Sequence, residues 1–167
     1  MGANTAYCLE GKGISHHSIY RSLDHYGASI ISHIPLEEAE ILAIEDLTLE
    51  ILERTREQRE VECLPVILGR NVFSPESIAE GAIERRLVRK TGYICELTLN
   101  RLQREGSAKN RSELLKVIDF IYPHIEEGYV PLISGLTEDL IKYFASNDDP
   151  FGKKWKVISC LDNLVLQ

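Results

Sequence analysis

Apolar residues recur at helical spacing along most of this chain, and each run opens on a residue that favours a helix start. That pairing of period and start signal restricts the fold to helices packed on helices. The clearest run begins at Pro35, a residue suited to a first helical turn. Glu37, Glu38 and Glu40 there complement the positive end of the helix dipole. Ile41, Ile44, Leu47, Thr48, Ile51, Leu52 and Thr55 carry its stripe to about residue 59. Leu42 and Leu49 fall on the opposite side, among Glu45, Asp46, Glu53 and Glu60. They are one heptad apart and so sit one above the other.

Residues 61–73 interrupt this run, and Val66-Ile67-Leu68, between Pro65 and Gly69, reads as a short strand or a buried turn. Ser74-Pro75 opens the next helix, with Ser74 as N-cap. Its stripe of Ala79, Ile83, Leu87, Ile94 and Leu102 predicts one long element ending at Gly106, with a kink or break near Thr91-Gly92. Asn110 with Glu113 resembles a capping box, and Leu114, Val117, Ile118 and Ile121 follow it up to Pro123. Thr137 precedes a helix built on Leu136, Leu140, Ile141 and Phe144. Asp149-Pro150 opens a last one carrying Phe151, Trp155, Ile158 and Val165. Near the start, Ile19, Leu23, Tyr26, Ile30 and Ile34 keep a helical beat, and residues 1–13 read as a lead or a short strand. The expectation is an all-α fold, one compact domain of six or seven helices. Residues 1–34 form its lead and first helix, and residues 35–167 its helical core.

Charge is sorted along this frame. Residues 36–62 carry ten acids against three bases, and residues 84–116 carry nine bases against four acids, in a chain of net charge −7. The basic block includes Arg85, Arg86, Arg89, Lys90, Arg101 and Arg104. Arg85, Arg86, Arg89 and Lys90 share a helix face. Such a block either binds nucleic-acid phosphates or pairs with the acidic helix, and a net charge of −7 favours pairing. Leu42 and Leu49, flanked by Glu45 and Glu53, then read as an apolar seam for a protein partner or for a second copy, giving a homodimer.

Two short resemblances touch the basic block. Thr91-Gly92 and the segment Leu99-Asn100-Arg101-Leu102-Gln103-Arg104-Glu105-Gly106 resemble fragments of bacterial winged helix-turn-helix regulators. The spacing from turn to Arg-Leu pair is shorter than in that pattern, and no wing-like hairpin follows Gly106. The resemblance implies a helix-turn-helix unit within the helical domain. Arg89, Gly92 and Tyr93 resemble part of the chromophore helix of phycobiliproteins, which implies a globin-like helical fold as an alternative. Leu87 stands about where that family's bilin-bearing cysteine falls, so no covalent pigment is implied.

Catalytic signals are sparse. His16, His17, His25, His33 and His124 never fall three or four residues apart, so no helix face presents two metal ligands. No phosphate-cradling glycine motif and no nucleophile elbow occurs. Cys8, Cys63, Cys95 and Cys160 are scattered singly and read as small apolar residues of a reduced protein. No apolar stretch approaches the roughly 18 residues of a membrane span. No export signal is visible, so a cytoplasmic location is the expectation. The functional expectation is a non-catalytic interaction or regulatory protein without cofactor or metal, acting through protein–protein contacts. A nucleic-acid-binding regulator using residues 85–111 is the alternative, and an enzyme assembled from distant residues comes third.

Overall fold

Side-chain caps open half of the helices in the computed structural model, which describes residues 14–29 and 39–161, and tertiary contacts set the other boundaries. In chain order the helices are α1 His16–His25, α2 Ile44–Arg54, α3 Gln58–Arg70, α4 Pro75–Glu84, α5 Val88–Arg104 and α6 Arg111–Ile121. A 3-10 turn, Tyr122–His124, follows, then α7 Glu138–Ala145 and α8 Pro150–Trp155. Two-residue strands β1 (Val130–Pro131) and β2 (Val157–Ile158) pair in parallel. The protein is therefore all-α in character, and the described residues hold eight helices, one more than the upper expectation.

Three N-caps stand where the sequence places them. The Ser74 side chain accepts from the Ser77 amide, Thr137 from Leu140, and Asp149 from Phe151 and Gly152. These bonds satisfy amides that the first helical turn leaves without partners. Asn110 also precedes its helix, but not as a capping box. It sits in the left-handed region at φ 57°, and its side-chain amide instead donates to the carbonyls of Leu68 and Asn71. Asn110 thus ties the start of α6 to the end of α3.

Other boundaries differ from expectation. Residues 39–43 are not helical, so α2 begins at Ile44; Pro35, Glu37 and Glu38 lie outside the described residues. Residues 61–70 form no strand. They belong to α3, which continues through Pro65 while Leu64, Ile67 and Leu68 bury its inner face. Proline removes one helical hydrogen bond at a cost of about 3 kcal/mol, so packing of that face outweighs the lost bond. The expected break at Thr91-Gly92 is absent. The chain turns five residues earlier, where Arg86 takes φ 58° and the Leu87 amide donates to the Ala82 carbonyl at 2.7 Å. That is a Schellman closure carried by arginine instead of glycine. The helix expected to run on from Asp149 stops at Trp155, and Ile158 belongs to β2. Ile30, Ile34, Val165 and residues 1–13 lie outside the described residues.

Gly92 stays helical because its missing side chain is what α5 offers to α8. A Cβ there would lie 2.1 Å from ring carbons of Trp155, which is fully buried. Tyr122 closes edge-on against the same indole, with ring centroids 5.6 Å apart. Behind them Tyr93, also fully buried, donates its hydroxyl to Asp149 Oδ2 at 2.7 Å. Burial, more than this bond, pushes the phenol far above its usual range, so it stays protonated and remains a donor. The Asp149 carboxylate thereby joins the α8 start to the middle of α5.

Gly92→Ala should destabilise the fold by about 2–3 kcal/mol in urea unfolding, because the ring it meets cannot move aside. Gly81→Ala meets only the tip of the Leu49 side chain, at 2.3 Å, and should cost about 1 kcal/mol or less. Equal losses at the two positions would contradict this packing.

Candidate interaction surface

Arg85, in the turn between α4 and α5, faces back onto α2. Its Nη1 lies 3.2 Å from Glu50 Oε2 and 3.1 Å from Glu53 Oε2. The Glu50 side chain is only 3 % exposed, and Arg54 Nε stands 2.9 Å from its other oxygen without hydrogen-bond alignment. A carboxylate this deep needs a cation, and Arg85 supplies the hydrogen-bonded one while Arg54 adds a second positive charge. Lys90 donates to the Leu52 carbonyl at 3.0 Å, satisfying the C-terminal end of α2. Burial, with Arg89 adding repulsion, draws the Lys90 amine below its usual range. Arg89 holds the chain before β1 by donating to the carbonyls of Glu127 and Gly128, and it pairs with Glu126 at 3.3 Å.

The basic block is therefore not one surface. Arg85, Arg89 and Lys90 are engaged within the chain, while Arg86 is exposed at the turn. Arg101 and Arg104 lie at the far end of α5, beside Arg70 of α3 and around Glu105. Arg101 bonds Glu105 at 2.8 Å and holds that carboxyl below the usual range. Thr91-Gly92 lies inside a continuous helix, so it forms no turn ahead of a recognition helix. The strands among the described residues are one parallel pair, not a wing hairpin.

The expected seam on the acidic helix is also corrected. Leu42 precedes α2 and is buried, with its amide bonded to the Ser22 hydroxyl and its carbonyl to the Tyr26 hydroxyl. Leu49 is buried against Gly81 of α4. Neither side chain is presented to a partner. Glu45 accepts from the Ser74 amide at 2.6 Å, tying α2 to the start of α4, and Glu53 is occupied by Arg85. The acidic side of α2 is thus largely spent on intrachain contacts.

Exposed apolar surface gathers elsewhere. Helix α7 has no buried residue, although five of the ten residues from Leu136 to Ala145 are large and apolar. Leu140 is 43 % exposed and Tyr143 65 %, while Phe144 rests partly against the core. Nearby opens a cleft of about 310 Å³ bounded by Tyr129, Phe144, Asn147, Val157, Ile158 and Leu161. Tyr129 is 58 % exposed. Sequence reading assigned Leu140 to the inward face and passed over Tyr143. The available signal was number: Leu136, Leu140, Ile141, Tyr143 and Phe144 are more apolar side chains than one face of so short a helix can bury.

The chemistry of the cleft is limited. Both oxygens of Asp149 on its wall are committed, one to Tyr93 and the other to the amides of Phe151 and Gly152. Among the described residues no group of His, Cys, Asp and Glu is placed to hold a metal ion. Burial pushes the Cys95 thiol up to about 12 and raises that of Cys63, so neither is a ready thiolate. No helix among the described residues is long and apolar enough to cross a membrane.

Charge reversal should separate the two arginines of the α4–α5 turn. Arg85→Glu leaves Glu50 with Arg54 alone and sets a third carboxylate against Glu50 and Glu53, and should cost about 2–4 kcal/mol in chemical denaturation, whereas Arg86→Glu should stay within about 0.5 kcal/mol. A neutral outcome at Arg85 would remove the ion pair as a structural element. Comparison of the chain with protein-family models, with curated proteins and with solved structures finds no match in any of the three.

Proposed function

We propose that this chain is a non-catalytic interaction protein whose partner-binding surface is centred on α7. The observation that carries the reading is an amphipathic helix with no buried residue, presenting Leu140 and Tyr143 to solvent near an apolar-walled cleft. Exposed aromatic and aliphatic side chains grouped on one element favour docking, because their burial against a partner removes apolar surface from water. Tyrosine suits such a surface, since it brings large contact area at low conformational cost. The committed state of Asp149, Arg85, Arg89 and Lys90 supports binding over catalysis, because these side chains already serve the fold.

The experiment places a photo-reactive phenylalanine analogue at position 143 in cells of the source organism. A discrete cross-linked product that disappears when Leu140→Asp is added is the expected result. Cross-linking from position 86 on the α4–α5 turn, with none from position 143, would refute the assignment of the surface.

A further inference from the structure

We infer that the groove between α3 and α5 binds an acidic segment of another protein, with its carboxylates on Arg101 and Arg104 and an apolar side chain of it on Pro65 and Leu97. The site shares no residue with the α7 surface and goes beyond that reading. The two helices end side by side, with Leu102 of α5 packed over Gly69 of α3. Between them lies a groove of about 320 Å³. Pro65 and Leu97 give it an apolar floor, and Glu62, Arg101, Arg104 and Glu105 complete its lining. Arg85, Arg89 and Lys90 are spent on the chain's own contacts. The other end of the basic block is gathered here instead.

Charge selects the occupant. Arg70 acts on the same carboxylate, Glu105, as Arg101 and Arg104 do. Lys109 donates to the Arg70 carbonyl and brings a fourth cation to this end of the helices. Two carboxylates, Glu62 and Glu105, stand against these four cations, a local net of +2 in a chain of net −7. The C-terminal ends of α3 and α5 together amount to roughly one negative charge, so a surplus of positive charge remains. Glu105 engages Arg101 through Nε, one turn along the same helix. Such a pair on an open surface is weak and exchanges readily. Glu105 thus holds the place of an incoming carboxylate, which a guanidinium can grip with two parallel donors. Phosphates match this groove less well. Two carboxylates line it, and helix C-terminal ends disfavour phosphate, which belongs at N-termini. A long phosphate backbone would also run onto the rest of an acidic chain. A short protein segment touches only the basic end, and it carries apolar side chains for the floor.

Fluorescence anisotropy with two labelled probes tests this: a helical peptide of Glu, Ala and Leu, and oligothymidylate. The peptide should bind with micromolar affinity, and added salt should weaken it. Arg101→Ala combined with Arg104→Ala should weaken binding about tenfold or more. Arg86→Ala, at an exposed cation outside the groove, should leave it unchanged. Glu105→Gln should tighten binding about twofold, because it removes the competitor within the chain. A purely structural role for the Arg101–Glu105 pair would not produce that gain. A peptide with Leu replaced by Ala should bind about fivefold more weakly. Helix content by circular dichroism should be the same in every variant. A wild type that does not bind the peptide overturns the inference, and so does an equal loss in Arg86→Ala. Tighter binding of oligothymidylate, lost with the same arginines, would make the groove a nucleic-acid site and overturn it too. Leu140→Asp should leave peptide binding intact; a loss there would move the acidic segment onto α7 and end the groove as its site. Cross-linking at position 143 tests the α7 surface separately, so either reading can fail alone.

Discussion

A buried carboxylate governs the arrangement of the helices. Glu50 points into the joint between α2 and the α4–α5 turn, where the loss of hydration makes an unpaired charge prohibitive. Arg85 reaches it from the end of α4, and at the next residue, Arg86, the chain reverses through a left-handed backbone at a residue that is not glycine. The local strain of that conformation, about 1 kcal/mol, is small beside the cost of an unpaired buried charge. Once the turn is fixed, Lys90 falls on the end of α2 and Arg89 on the chain before β1. One charge satisfied inside the protein thus aligns α2, α4 and α5 together.

The second organising contact lies at the other end of the chain. Trp155 fills the notch left by Gly92, and Asp149 bridges the α8 cap to Tyr93. These contacts hold α8 against α5, and α8 is followed directly by β2, whose partner strand β1 leads towards α7. Helix α7 is therefore suspended between anchored elements without being buried by them. A helix so placed is positioned by its neighbours and stabilised little by its own packing, which leaves its apolar side chains available.

The helical class and the starts of α4, α6, α7 and α8 were legible in the sequence, and three of these because capping is local: Ser74, Thr137 and Asp149 need only amides two or three residues away. Helix ends and breaks were less so. Gly92 looks like a weak point in a string of residues, yet it is a contact surface for a tryptophan more than sixty positions away. Arg86 carries no turn signal, yet the chain turns there, closed by the Arg86 and Leu87 amides on the carbonyls of Ile83 and Ala82. Pro65 reads as a terminator and is overruled by burial on both sides of it. The charge sorting was real, but its meaning depended on which cations face which carboxylates: Arg85, not Arg86, meets Glu50 and Glu53. For the interaction surface, spacing placed Leu42 and Leu49 on one exposed seam, whereas the late start of α2 turns Leu42 onto α1 and α4 covers Leu49 at Gly81. Tyr143 of α7 gave no periodic signal of its own, since exposure is a property of the assembled fold.

The joint made by Asn110 closes off something else. Asn110-Arg111-Ser112 spells an acceptor sequence for N-linked sugar, which is added to the side-chain nitrogen of the asparagine. In the folded chain that nitrogen is shared between the carbonyls of Leu68 and Asn71, at 2.8 and 2.6 Å. A sugar there would displace both bonds and part α6 from α3. The fold itself therefore makes this tripeptide a non-acceptor in the folded protein, in whatever compartment the chain resides.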